Sequence, residues 1–134
     1  MKTILAILKQ AGGWHHGLCL KIENPPYMAL VIEATDESGP CGLPALTVAQ
    51  YGDALCQPEM CFELGLAGGA HLNPFYYRND YIGEEHWSRT IERDRYVFVP
   101  RLHEQHERLA KEWDNNLRSQ GFPEAFAQQQ APRA

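Results

Sequence analysis

Apolar and polar residues alternate along much of the first half of the chain, in short runs separated by turn residues. Residues 17–23, GLCLKIE, place Leu18, Leu20 and Ile22 on one side and Cys19 on the other. Because neighbouring side chains of a strand point to opposite faces, this alternation predicts a half-buried β-strand. Three further runs predict strands at 27–35, 45–51 and 59–65.

The second half continues the pattern less regularly. A fifth strand is predicted within 72–82 and a sixth at 95–100, whereas the polar stretch 83–94 predicts a short helix or an exposed loop. Short connections favour antiparallel pairing, because parallel strands need long crossovers. The strands should therefore form a meander of about five to six strands.

Two helices are predicted, one near each end of the chain. Residues 3–11 carry a one-sided apolar stripe that Gly12 ends. A longer helix begins near Pro100 and ends before Gly121. One of its faces carries residues spaced by four, three, four and four positions: Leu102, His106, Leu109, Trp113 and Leu117.

The predicted fold class is α+β, with the N-terminal and C-terminal helices packed on one face of the antiparallel sheet. The length of 134 residues fits one domain. We place this domain at 1–122 and predict a flexible tail over 123–134, because Pro123 disfavours continuation of the helix.

The charge pattern argues against direct nucleic-acid binding. The formal net charge is −5, and residues 1–67 carry three Lys or Arg against seven Asp or Glu. Such a surface repels nucleic acid and suits a partner protein with a basic surface. No apolar run reaches the length of a membrane span, and no secretory signal pattern is present, so we expect a cytoplasmic protein.

Four cysteines raise the question of a metal or redox site, and the stretch 51–65, YGDALCQPEMCFELG, contains two of them. Cys56 and Cys61 are spaced at the outer limit of a zinc knuckle, and Cys19 and Cys41 have no neighbouring cysteine. In a reducing compartment free thiols are expected. We predict no metal and no cofactor.

The histidines give weak catalytic signals. His103 and His106 are three residues apart, whereas a zinc-protease helix places its two histidines four apart, so such a helix is not indicated. His106 falls on the apolar helix face, which favours a packed structural role. His15 and His16 are adjacent and should point apart.

Residues 73–87 are the most suggestive stretch for binding, because tyrosine and arginine are enriched at protein interfaces. The alternative, that its aromatic residues fill the core, stays open. The candidate partner-binding residues are Tyr76, Tyr77, Arg78, Asn79, Asp80, Tyr81, Glu84 and Glu85.

An ordered set of motifs carries a family resemblance over residues 14–126. The motifs are LKIENPPYMALVIE, SGPCGLPALTVAQYG, PEMCFELG, FYYRNDY and WDNNLRSQGFPEAF. Together they resemble an uncharacterised domain family carried on proteobacterial plasmids and integrative elements. The resemblance implies no assigned activity and no catalytic residues. This chain departs from the family pattern in a shortened inter-strand loop at 52–58, with Gln57 where an acidic residue is usual.

The function expected from these observations is that of a non-enzymatic mobile-element accessory protein. Such a protein would bind a host protein and inhibit a defence complex, of the anti-CRISPR or anti-restriction type. A homodimer is a further possibility. The alternative is a small metal-dependent or acid–base enzyme whose site converges in space. Its candidate residues are His15, His16, His71, His86, Asp80 and Glu84.

Overall fold

The computed structural model of the chain describes residues 1–52, 55–65 and 71–130, with the backbone alone at Cys56. Three helices and eight strands occupy these ranges. The helices are α1 (Lys2–Gln10), α2 (Pro100–Ser119) and α3 (Phe122–Gln130). The strands are β1 (Cys19–Asn24), β2 (Tyr27–Ala34), β3 (Ala45–Gly52), β4 (Leu55–Leu64), β5 (Leu72–Asn79), β6 (Glu84–Trp87), β7 (Arg89–Glu92) and β8 (Arg95–Phe98).

The main sheet confirms the predicted meander. Its six strands run in the order β1-β2-β3-β4-β5-β6, and each pairs antiparallel with the next. Together with the helices, this sheet makes the protein α+β, as predicted. Because the order is sequential, β1 and β6 are the two edges of the sheet.

The sixth strand is not the one that the sequence pattern indicated. Residues 83–94, expected as a helix or loop, contain β6 and β7. The predicted sixth strand at 95–100 provides β8, which pairs with β7 in a separate two-stranded sheet. Strands of four residues are too short to show a clear period of two, which explains the error.

The predicted loop at 52–58 is also largely strand. β3 extends to Gly52 and β4 begins at Leu55, so the two strands continue almost to the turn. The register pairs Gly52 with Leu55. Residues 53 and 54 lie outside the described residues.

One hydrophobic core joins the helices to one face of the sheet. Ile4 and Ile7 of α1, Leu117 of α2 and Phe126 of α3 are fully buried in the same cluster. From the sheet the cluster includes Ile22, Leu30, Ile32, Leu46, Val48, Met60, Phe62 and Tyr77. Two buried polar bonds cross this core, from Trp113 Nε1 to Gln50 Oε1 (2.8 Å) and from the Thr3 amide to Asp114 Oδ1 (2.9 Å).

The end of α2 follows the predicted pattern, but the chain then enters another helix. Gly121 has a φ of +83°, the left-handed conformation expected of a helix-ending glycine. Phe122 and Phe126 are fully buried, so residues 123–130 of the predicted tail include a helix packed on the core. Pro123 lies in the first turn of α3, where its missing N–H costs nothing. Residues 131–134 lie outside the described residues.

Candidate interaction surface

Large apolar side chains are exposed mainly along one short segment of the chain. In the described residues, ten such side chains are exposed, and seven of them lie between positions 81 and 99. These seven, which we call the 81–99 surface, are Tyr81, Ile82, Trp87, Ile91, Tyr96, Phe98 and Val99. The other three are Tyr27, Tyr51 and Leu55. Concentrated apolar exposure of this kind marks an interaction site more often than scattered residues do.

Trp87 lies at the end of β6, and its indole is 47% exposed. The ring packs against Tyr76 of the neighbouring strand at a centroid distance of 4.8 Å. The Tyr76 hydroxyl donates to Glu85 Oε2 at 2.5 Å. Burial, followed by the hydrogen bond and charge of Glu85, raises the pKa of Tyr76, so this phenol stays protonated and keeps its bond. Trp87 therefore packs against a tyrosine ring whose position is held by its hydrogen bond to Glu85.

The β7–β8 hairpin presents the next part of the surface. Its register places Ile91 opposite Tyr96 and Arg89 opposite Phe98. Cross-strand partners share a face, so Ile91, Tyr96 and Phe98 lie together on one side of the hairpin. The Phe98 ring also contacts the imidazole of His103 on α2 edge to face, at 5.3 Å.

A buried ion pair holds the hairpin to the main sheet. Arg89 Nη1 lies 2.6 Å from Glu63 Oε1. The guanidinium also donates to the main-chain oxygens of Pro74 (3.2 Å) and Asn73 (3.1 Å). A two-stranded hairpin alone is marginally stable, so these contacts fix its position.

The second Glu63 oxygen holds the loop between β2 and β3. Glu63 Oε2 accepts hydrogen bonds from the main-chain amides of Cys41 (2.8 Å) and Leu43 (3.2 Å). The backbone of Gly39 lies so close to the Glu63 side chain that a Cβ there would overlap it. The carboxylate therefore ties β4, this loop and β7 together.

A chain of polar side chains, which we call the histidine network, links β6 to α2. His86 Nδ1 lies 2.7 Å from His106 Nε2, and His106 Nδ1 lies 2.7 Å from Ser88 Oγ. The two imidazole planes are inclined by only 12°. Glu84 Oε2 lies 3.8 Å from His86 Nε2 at the exposed end.

The protons of this network can be assigned from its ends. Burial, and then the charges of His86 and His103, lower the pKa of His106 to about 4, so its imidazole is neutral at pH 7. The nearby Glu84 carboxylate favours a proton on His86 Nε2, which leaves His86 Nδ1 as an acceptor. His106 then donates from Nε2, and its Nδ1 accepts from the Ser88 hydroxyl. The two hydrogen bonds then point the same way, from Ser88 through His106 to His86.

A cavity of about 480 Å³ opens beside the network. It lies along β6 and the hairpin, and its wall is mainly apolar with one carboxylate. The lining residues are His86, Trp87, Ser88, Thr90, Glu92, Val97 and Val99.

The structure divides the predicted partner-binding residues into buried and exposed groups. Tyr76 and Tyr77 are 8% and 4% exposed, so these two tyrosines are buried, as the alternative for this stretch expected. They pack on the sheet instead, on opposite faces. Tyr81, Glu84 and Glu85 are exposed.

The remaining three are half-buried and engaged within the chain. Arg78 contacts Asp80 at 3.2 Å and Glu59 at 3.6 Å. The Asn79 side chain accepts a hydrogen bond from the Tyr81 amide at 3.1 Å. These contacts shape the turn between β5 and β6, so Arg78, Asn79 and Asp80 position the segment that precedes Glu84.

The residues of the alternative enzyme converge only in part. His86 and Glu84 meet in the histidine network, joined by His106, whose predicted packed role agrees with its complete burial. His15 Nδ1 instead contacts the His16 main-chain oxygen. His71 lines a different cavity, beside α1 and α2, and Asp80 pairs with Arg78. In the described part of the chain, no three His, Cys, Asp or Glu side chains are placed to hold a metal ion.

Sequence analysis missed the hairpin and its support. Ser88, Arg89, Ile91 and Phe98 were not singled out. One available signal for a hairpin was the pair Arg93-Asp94, which lies between two short runs of alternating apolar and polar residues. Aspartate tolerates the left-handed conformation that a tight hairpin turn requires. The contact of Arg89 with Glu63, 26 positions away in the chain, gives no sequence signal.

The fold and this surface define a small α+β domain with an exposed apolar region beside its sixth strand. The family model of a domain of unknown function (DUF6908) matches residues 2–123. The chain therefore belongs to that family, and the resemblance to an uncharacterised family is confirmed to that extent. No curated protein and no solved structure matches the chain. Among the helices of the described ranges, none has the length and apolar character needed to cross a membrane.

Proposed function

We propose that this protein is a non-enzymatic binding module whose 81–99 surface contacts a partner protein. The observation that carries the proposal is the concentration of exposed Trp87, Ile91, Tyr96 and Phe98 on a short segment. Aromatic side chains contribute most to binding at interface centres. The histidine network and the Glu63–Arg89 pair hold this segment in place before binding, which lowers the entropy that a partner must overcome.

For the partner we propose a host protein complex with a basic surface, whose defence activity the binding inhibits. The net charge of −5 of the whole chain favours such a partner and speeds its approach. The resemblance to a family carried on plasmids and integrative elements supports the setting of a mobile element. The proposal does not include direct contact with nucleic acid, because a negatively charged protein repels it.

The test is a pull-down of purified host nuclease complexes, combined with a plasmid or phage challenge of cells that express the protein. We expect stable capture of a complex and loss of its interference. A Trp87→Ser and Ile91→Ser double variant should weaken capture by about tenfold or more, since hot-spot truncations cost 2 kcal/mol or more.

A matched double variant, Tyr27→Ser and Leu55→Ser, removes exposed apolar groups outside the surface and should retain capture. Urea unfolding should show both double variants folded. Equal loss in the two variants would contradict the assignment of the surface, and absence of both capture and protection would reject the proposed function.

A second candidate, a small acid–base enzyme, is favoured by one observation, the histidine network beside the 480 Å³ cavity. The network directs its proton acceptors toward the Ser88 hydroxyl, as a general base would. However, Ser88 is 1% exposed, so a substrate cannot reach its oxygen in this conformation.

A fluorophosphonate probe distinguishes the two candidates, because it labels activated serines covalently. The binding proposal predicts no labelled Ser88 peptide by mass spectrometry after prolonged incubation. Labelling that disappears in both Ser88→Ala and His106→Gln variants would favour the enzyme.

A further inference from the structure

A cavity of about 520 Å³, lined by residues of α1, α2 and β5, lies apart from the 81–99 surface and shares no lining residue with it. Part of its wall is apolar, because the buried side chains of Leu72, Pro74 and Ala110 line it. The volume falls in the range of pockets that hold small molecules, about 300–1,000 Å³. The cavity can therefore receive a ligand with an apolar body.

Three exposed cationic side chains line the same cavity, Lys2 from α1 and Lys111 and Arg118 from α2. Lys111 and Arg118 are seven positions apart, so they lie on one face of α2, about 10 Å apart along the helix axis. Within residues 1–52, 55–65 and 71–130, none of the three forms an ion pair. Arg118 Nη2 donates to Asn115 Oδ1 at 3.2 Å, which orients the guanidinium. Their charges therefore remain available to an anionic ligand.

The two carboxylates that line the cavity, in contrast, already have partners in the fold. Asp114 Oδ1 accepts a hydrogen bond at 2.9 Å from the Thr3 amide, in the first turn of α1, where the helix dipole favours a negative charge. Glu107 Oε1 lies 3.1 Å from His103 Nδ1. Three cations against two engaged carboxylates leave the cavity with an excess of positive charge, although the whole chain carries −5.

We infer that this cavity binds a small molecule in which a phosphate monoester is attached to an apolar or aromatic body. Such a phosphate carries a charge of about −1.5 to −2 at pH 7, so more than one cation is needed to balance it. The guanidinium of Arg118 can donate to two phosphate oxygens at once, and Lys2 and Lys111 add point charges. The apolar wall would contact the body of the ligand. The inference goes beyond the proposed function, because it concerns a separate site.

The experiment is an NMR titration of the full chain with phenyl phosphate in phosphate-free buffer. We expect saturable shifts of the amide signals of Lys2, Leu72, Lys111 and Arg118. Inorganic phosphate and phenol are the control probes, since each presents one half of phenyl phosphate. The affinity for phenyl phosphate should exceed that for either control by about tenfold or more, because only the whole probe uses both the cations and the apolar wall.

A double variant, Lys111→Met with Arg118→Met, tests the role of the cations. It should weaken the binding of phenyl phosphate by about tenfold or more, since it removes two charge-assisted contacts. The matched control is Arg101→Met with Arg108→Met, two exposed arginines of α2 that are also seven positions apart and do not line the cavity. It changes the net charge equally and should weaken binding by less than about twofold, because exposed charges outside the site are screened by salt.

Urea unfolding should show both double variants folded, because they alter exposed positions. If Lys111→Met with Arg118→Met is unfolded, Lys2→Met replaces it and should weaken binding by about fivefold, with Lys9→Met of the same helix as its control.

Three results would each overturn the inference. The first is the absence of saturable shifts with phenyl phosphate, and the second is equal affinity for phenol and phenyl phosphate. The third is equal weakening in the two double variants, which would show a general attraction between charges instead of a site. None of these results bears on the capture of a partner by the 81–99 surface, so this inference and the proposed function can fail independently.

Discussion

The carboxylate of Glu63 and the guanidinium of Arg89 form an ion pair at 2.6 Å, with side chains only 1% and 2% exposed. The pair joins the centre of the main sheet to the strand that carries Ile91. Buried charges are costly unless they are paired and hydrogen-bonded, and here main-chain groups of four other residues complete the bonding of the two side chains. The position of the candidate surface therefore depends on a contact in the interior.

Replacement of Arg89 by methionine should destabilise the protein strongly. It leaves the Glu63 carboxylate buried without its counter-ion, and breaking such a pair costs about 3–5 kcal/mol. The measurement is the free energy of unfolding from urea denaturation. Arg95→Met, at an exposed position of the same hairpin, is the matched control and should change the free energy by less than about 0.5 kcal/mol. A loss below about 1 kcal/mol for Arg89→Met would show that the pair is not structurally important.

The histidine network predicts a loss of stability in mild acid. The pKa of His106 falls from its usual 6.5 to about 4 in the folded protein, mainly through burial. Between these two values the unfolded chain binds a proton at this position and the folded chain does not. Stability is therefore complete above pH 6.5 and decreases as the pH falls toward 4, by an amount on the order of 2 kcal/mol.

The measurement is the free energy of unfolding at several pH values in this window. His106→Gln keeps a polar side chain without titrating, so its stability should vary less between pH 6.5 and 4 than that of the unsubstituted protein. His16→Gln, at an exposed position, is the matched control substitution. An unchanged slope for His106→Gln would show that His106 does not titrate differently on folding.

The strands that sequence patterns predicted correctly are those with one buried and one exposed face. In β1 the fully buried Ile22 lies between the exposed Lys21 and Glu23, so burial and sequence share the same period. In β6 the burial pattern does not match the apolar–polar pattern of the sequence, because Trp87 is exposed although apolar and His86 is half-buried although polar. An edge strand that presents apolar side chains outward does not show the pattern of an ordinary sheet.

Long-range pairing explains what sequence could not predict about the candidate surface. His106 was placed on the buried face of its helix from spacing alone, and it is fully buried. Its partners His86 and Ser88 lie 20 and 18 residues away in the chain, and no local pattern indicates that they meet. The helix α3 was not predicted either, although Pro123 is compatible with the first helical turn in which it lies.

Thiol reactivity provides a prediction about the cysteines. Cys19, Cys41 and Cys61 are free, and the first two are exposed. Burial, only partly offset by the hydrogen bond with Thr47, raises the pKa of Cys61 to about 11. The thiolate is the reactive form, so alkylation by iodoacetamide at pH 8, followed by mass spectrometry, should modify Cys19 and Cys41 first. Cys61 should react at least about tenfold more slowly, and denaturation with urea should remove the difference. Equal rates in the folded protein would contradict the burial of Cys61.

The hairpin turn predicts a stabilising double substitution. Arg93 and Asp94 have φ values of 51° and 63°, a left-handed conformation that costs an ordinary residue about 1–2 kcal/mol. Asn and Gly are the residues that this turn prefers, so Arg93→Asn with Asp94→Gly should raise the free energy of unfolding by about 1 kcal/mol. Asp94→Val places a β-branched residue in the same conformation and should lower the free energy of unfolding.

The hairpin carries Ile91 and Tyr96, so a more rigid turn should also leave partner capture equal or stronger. Weaker capture by a more stable Asn-Gly variant would show that the hairpin must rearrange to bind.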